Sequence, residues 1–164
     1  MNSSFAILVG VALVGVTVLS AQSKHTGLEG AWQVAEVRVT GPDARTIAIP
    51  EPRPNLIVFT GRHYSRVEIH ADGPRPVLAD VRKANADELR AAWGPFVGEA
   101  GTYEVTGDVL TMHPIVARNP EVMAPGGALT YSFKLDDRTF WATFKNDRNG
   151  PVANPVTVKA VRIE

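Results

Sequence analysis

Three two-residue breaks, Gly61-Arg62, Gly107-Asp108 and Asp136-Asp137, each stand between two runs in which apolar and polar side chains alternate. A chain that reverses over two residues pairs its flanking runs antiparallel. The turn then fixes which side chains share a face. Around Gly107-Asp108 the register places Thr106 opposite Val109, Val105 opposite Leu110 and Tyr103 opposite Met112 on an apolar face. The other face pairs Glu104 with Thr111 and Thr102 with His113, and it suits water.

With Asp136-Asp137 as the turn, Phe133 faces Phe140, Tyr131 faces Ala142 and Leu129 faces Phe144, while Ser132, Lys134, Thr139, Trp141 and Thr143 turn the other way. Sliding this turn by one residue in each direction preserves both sets. The hairpin at Gly61-Arg62 is mixed: Ile57, Phe59, Tyr64, Arg66 and Glu68 share one face, and Leu56, Val58, His63, Ser65 and Val67 the other. Aromatics beside a charged pair suit a cavity wall, where a few polar groups orient a ligand among apolar ones. They equally suit an outer surface on which Arg66 and Glu68 are solvated.

Further strands are expected at Leu28–Thr40 and in the closing "VTVKAVRIE". Between the first two strands, Pro42, Pro50, Pro52 and Pro54 forbid a central strand or helix. "ARNPEVMAPGGA" and "NDRNGPVANP" read as loops. "NADELRAAW" carries the one helix signal: Asn85 caps, Glu88 completes a capping box, and Gly94-Pro95 stops it. At about two turns it reads as a lid or plug rather than a core helix. The pattern predicts an all-β fold, an eight-stranded antiparallel up-and-down barrel with one short helix between the third and fourth strands. Eight strands can enclose one small ligand.

Phe5–Leu19, "FAILVGVALVGVTVL", is followed by the small residues Ser20 and Ala21, and no charged side chain precedes Lys24. This resembles the apolar region of a secretory signal peptide, although Met1–Ser4 holds no Lys or Arg. Residues 1–21 are therefore expected to be a signal peptide with cleavage after Ser20 or Ala21, leaving 22–164 as one barrel domain in the periplasm or outside the cell. An uncleaved membrane anchor and a buried helix are the alternatives. Through residues 5–19 an uncleaved chain would meet the membrane, but the run is shorter than the roughly 20 residues a span requires.

Seventeen basic residues balance seventeen acidic ones, so no basic excess points to nucleic acid. The absence of cysteine excludes disulfides, thiol nucleophiles and thiolate metal sites. His25, His63, His70 and His113 show no metal-binding spacing. Ser23, Ser65 and Ser132 lie in no nucleophile elbow. No glycine-rich phosphate loop precedes a helix, and no cofactor or metal is expected.

"LEGAWQV", with Gly30 and Trp32 in a Gly-x-Trp, opens the first strand. Together with "GRHYSRVEI…GPRP", "AWGPF", "GTYEVTGD" and "HPIVARNPEVMAPG", it resembles the bacterial lipocalin-like domain from about Leu28 to Glu164. The resemblance implies an eight-stranded calycin-type barrel. It also implies that Trp32 seals one end against a basic residue of the last strand, here Arg162, so Gly30, Trp32 and Arg162 are expected to be structural. The short helix before the fourth strand departs from the usual lipocalin, whose helix follows the barrel. No established reaction comes with the resemblance.

Three functions fit these residues. The first is an exported module binding a small hydrophobic or amphipathic molecule, lined by Tyr64, Arg66, Glu68, Tyr103, Met112, Tyr131, Phe133 and Phe140. The second is an isomerase- or cyclase-like enzyme using Tyr64, Glu68 or His113 as acid or base, although no catalytic residue stands out. The third is a structural or interaction protein with a filled barrel. Binding ranks first.

Overall fold

Turn geometry builds the barrel hairpin by hairpin. Strands β3 (Asn55–Thr60) and β4 (His63–Ile69) reverse over Gly61-Arg62, and β5 (Phe96–Thr106) and β6 (Val109–Ala117) over Gly107-Asp108. Gly61 and Gly107 adopt φ of +50° and +61°, which a side chain would disfavour. Both registers follow the expected pairs: Phe59 faces Tyr64 and Ile57 faces Arg66 in the first, and Tyr103 faces Met112 in the second. The computed structural model describes residues 27–48, 54–71, 73–147 and 149–164. The N-terminal apolar run and its cleavage position, Ser23, His25, Pro50 and Pro52 lie outside those residues.

The remaining strands are β1 (Gly30–Val39), β2 (Arg45–Ala48), β7 (Leu129–Asp136), β8 (Thr139–Asp147) and β9 (Gly150–Arg162). β1 and β3 to β9 run in sequence as antiparallel neighbours, and β9 returns to pair with β1 from Trp32–Arg162 to Val39–Val156. This closes an eight-stranded up-and-down barrel. The helix α1 (Ala86–Trp93) lies between its third and fourth strands, β4 and β5, as expected. The Asn85 capping box forms: Asn85 Oδ1 accepts the Asp87 and Glu88 N–H groups at 3.0 Å, and Glu88 Oε2 accepts the Asn85 N–H at 2.8 Å.

Two local expectations need correction and two gain detail. The third hairpin turns at Asp137-Arg138, so Leu135 faces Phe140, Phe133 faces Ala142 and Tyr131 faces Phe144. The slip brings Leu135 against the apolar core beside Phe140, and both faces keep their membership. The proline-rich stretch contains the short strand β2, which ends before Pro50 and so keeps its N–H groups for pairing with Glu36–Val39. "NDRNGPVANP" is not all turn, because β9 starts at Gly150 and pairs it with Asp147. Within "ARNPEVMAPGGA", Pro120–Met123 forms a 3₁₀ turn capped by Asn119, whose Oδ1 accepts the Glu121 N–H at 3.1 Å.

The inward faces form one core of Leu28, Trp32, Phe59, Tyr64, Tyr103, Leu110, Met112, Phe140 and their neighbours, with Tyr131, Phe133 and Leu135 packed against it. Phe59 sits at its centre, 5.0 Å from the Tyr103 ring and 6.0 Å from that of Phe140, both edge-on. β5 and β6 shift register between Ala100 and Gly101. A Cβ at Gly101 would overlap the His113 carbonyl oxygen and lie 2.9 Å from Pro114 Cα, both backbone. Gly101→Ala should therefore destabilise the barrel by about 1–3 kcal/mol. A urea midpoint unchanged from wild type would show that the bulge relaxes freely.

Candidate functional site

In the half of the barrel remote from the β3–β4 turn, alternation places charge inside. Arg66 on β4 projects inward opposite Glu99 on β5, and Glu68 follows two residues later. The three side chains are 22%, 8% and 10% exposed, respectively. Arg66 Nε donates to Glu68 Oε1 at 2.5 Å, and Arg66 Nη1 lies 3.7 Å from Glu99 Oε1. His70 Nε2 lies 2.7 Å from Glu68 Oε2 at the outer edge of the cluster. The mixed face of the first hairpin is thus a cavity wall, and Arg66 and Glu68 are not solvated surface groups.

One guanidinium cannot serve two buried carboxylates equally. Burial alone would raise the Glu68 carboxyl, yet the His70 hydrogen bond and the Arg66 charge overrule it and hold it at about 2. Glu99, farther from Arg66, is pushed above the ordinary carboxylate range by burial, with Arg66 opposing. Burial, reinforced by Glu99, raises the Tyr64 hydroxyl. Burial also raises Tyr131, against the pull of Arg66. Arg66 stays charged despite burial because Glu68 stands beside it. Tyr64 and Glu99 influence one another's ionisation, but the contact falls short of hydrogen-bond geometry. The Tyr64 hydroxyl and Glu99 Oε1 are buried without a hydrogen bond among the described residues.

Beside this cluster lies a cavity of about 40 Å³ lined by Arg66, Glu68, Met112, Tyr131, Phe140 and five apolar neighbours, among them Ile57, Ala142 and Val158. It has room for water-sized occupants, well below the roughly 300 Å³ at which drug-sized sites begin. Of the expected lining, Arg66, Glu68, Met112, Tyr131 and Phe140 border it. Tyr64, Tyr103 and Phe133 pack into the aromatic layer instead. α1 contributes no residue to the cavity and buries only Ala92, so it does not plug the barrel.

Glu99 and His70 are the cluster members that sequence reasoning left out. Counting inward positions back by twos from Tyr103 reaches Gly101 and then Glu99, a signal present in "VGEAGTY". His113 turns outward and is half-exposed, 3.5 Å from Glu104 Oε1, which removes it from the interior. At the opposite end of the barrel, the Arg162 guanidinium lies 4.2 Å from the Trp32 ring centroid. A Cβ at Gly30 would crowd Arg162 and lie 2.5 Å from the Glu164 carbonyl oxygen.

The architecture is a closed eight-stranded antiparallel up-and-down barrel. No family model matches the chain, and no curated protein matches it. Among solved structures, the chain is similar to a lipocalin-like protein from Bacteroides uniformis, with 12% identity, a TM-score of 0.47, and coverage of 83% of this chain and 98% of that one. It is also similar to an uncharacterized protein from Bacteroides eggerthii, with 12% identity, a TM-score of 0.46, and coverage of 82% and 98%.

Proposed function

We propose that this chain is an exported binding barrel whose interior takes a small molecule with a polar group directed at Arg66 and Glu99. The observation that carries this reading is the half-satisfied polar cluster. Glu99 Oε1 and the Tyr64 hydroxyl are buried without hydrogen bonds among the described residues, and Arg66 and Glu68 of the same cluster line the small cavity. Buried polar atoms are nearly always paired, and a partner bringing a donor to Glu99 and an acceptor to Tyr64 would complete the set. The size of the cavity limits the interior part of that molecule to a head group. Export rests on the Phe5–Leu19 run with Ser20 and Ala21 behind it. A mature N-terminus at residue 21 or 22, read by mass spectrometry, is the expected result.

Native mass spectrometry of protein purified from its own compartment should show a retained small molecule. Ala142 borders the cavity and is 7% exposed, so Ala142→Leu fills the space from within. The variant should fold at a cost of no more than about 3 kcal/mol and lose the molecule. Retention of the same molecule in the variant would place binding elsewhere. The limited volume of the cavity favours a second reading, a filled barrel without an interior ligand. That reading is supported if wild type carries nothing and Ala142→Leu is neutral or stabilising.

A further inference from the structure

The outer wall of the barrel changes character along β3 and β4. Near the turn, the outward residues Ser65 and His63 are polar. Farther along, Leu56 faces Val67 across the pair, and Ile69 faces Phe96 on β5. Outward strand positions are ordinarily polar, yet Leu56 and Val67 remain 37% and 40% exposed. The Phe96 ring lies over Gly98, where a Cβ would meet it at 2.8 Å.

This apolar floor adjoins a seam. β3 pairs with β1 only through Ile57–Phe59 and Trp32–Gly30. Beyond that, the Asn55 side chain bridges the two strands, accepting from the Val34 N–H at 2.6 Å and donating to the Val34 carbonyl at 3.3 Å. The divergence leaves a groove of about 390 Å³, within the range of small-molecule sites, and Gln33, Asn55 and Arg75 edge it. Arg75 Nη1 donates to the Ala92 carbonyl at 3.0 Å, which fixes its guanidinium at the end of α1. Among the described residues no carboxylate is ion-paired with it. Glu68 also lines the groove, and its carboxylate is already matched by Arg66 and His70.

We propose that this groove is a second binding site, for a single-chain amphiphile with a carboxylate head. The free edge of the Arg75 guanidinium takes the head through charge-assisted hydrogen bonds, and Leu56, Val67 and Phe96 take the chain. The site opens on the outer wall and shares only Glu68 with the interior cavity.

Dodecanoate, titrated below its micelle concentration and followed by amide NMR shifts, is expected to perturb Leu56, Val67 and Phe96. Arg75→Gln should weaken its binding about tenfold, and Val67→Glu should abolish it, with dodecylammonium failing to compete. Ala142→Leu, which fills the interior, should leave dodecanoate affinity unchanged. Equal binding of dodecylammonium, indifference to Arg75→Gln, or loss of dodecanoate binding in Ala142→Leu would each overturn the assignment. The last result would move the amphiphile into the barrel and leave the interior reading standing.

Discussion

Arg66→Met should cost the barrel about 3–5 kcal/mol of unfolding free energy, measured by urea denaturation at neutral pH. Methionine nearly preserves the volume, so the loss is electrostatic. The substitution leaves Glu68 and Glu99 buried on adjacent strands without their cation, and the ring of His70, half-exposed, meets Glu68 rather than Glu99. Glu99→Gln should instead be neutral or stabilising at neutral pH, because burial already works against its charge. A loss below about 1 kcal/mol for Arg66→Met would show that water reaches the cluster and that the interior is not dry. The pH dependence separates the two carboxylates. The Glu68 carboxyl is held at about 2 against an ordinary 4.5. Its contribution, on the order of 3 kcal/mol, is fully present above the ordinary value and is lost as pH falls from about 4.5 toward 2. The Glu99 carboxyl is raised, so its penalty applies above its folded value and is relieved as pH falls through it. Wild type should therefore gain stability on mild acidification before losing it. Glu99→Gln should lack the gain and keep the loss.

Where a tight turn joined two strands, the sequence was enough to read their pairing. Tyr103 and Met112, or Phe59 and Tyr64, had little freedom once Gly107 or Gly61 set the reversal. At Asp136-Asp137-Arg138 no glycine marks the turn, and burial of Leu135 against Phe140 decided the slip. Glu99 escaped because β4 and β5 are joined by a long connection with α1 inside it. No turn there fixes the register, and Gly101 hides the inward parity before Tyr103. The interior volume was not legible either, since the same alternation produces a hollow barrel or a filled one. The difference lies in how Phe59, Tyr103, Phe133 and Phe140 interlock, which depends on rotamers and strand stagger rather than pattern. The outward apolar set of Leu56, Val67, Ile69 and Phe96 was readable as a departure from alternation, but nothing in the pattern indicated that β1 and β3 separate beside it.

Trp32→Ala should lower stability by about 3–5 kcal/mol, the range for deleting a large buried ring. Trp32 is fully buried and meets Phe140 edge-on at 5.0 Å, and its Nε1 donates to the Leu28 carbonyl at 2.8 Å. Arg162 stacks over the ring while donating to the carbonyls of Gly27 and Glu29. The indole therefore ties the segment before β1 and the end of β9 to the core at the same place. Trp32→Phe keeps most of the apolar area but leaves the Leu28 carbonyl without its donor, a smaller loss of about 1–3 kcal/mol. A double-mutant cycle with Arg162→Leu isolates the stacking, expected at about 0.5–2 kcal/mol. Additive losses within 0.3 kcal/mol would mean that Arg162 holds the end through its carbonyl bonds alone. Since this end lies opposite the Arg66 cluster, Trp32→Phe should leave the acid profile of Glu68 in place. A shift in that profile would show that the two ends of the barrel are energetically coupled through the aromatic layer between them.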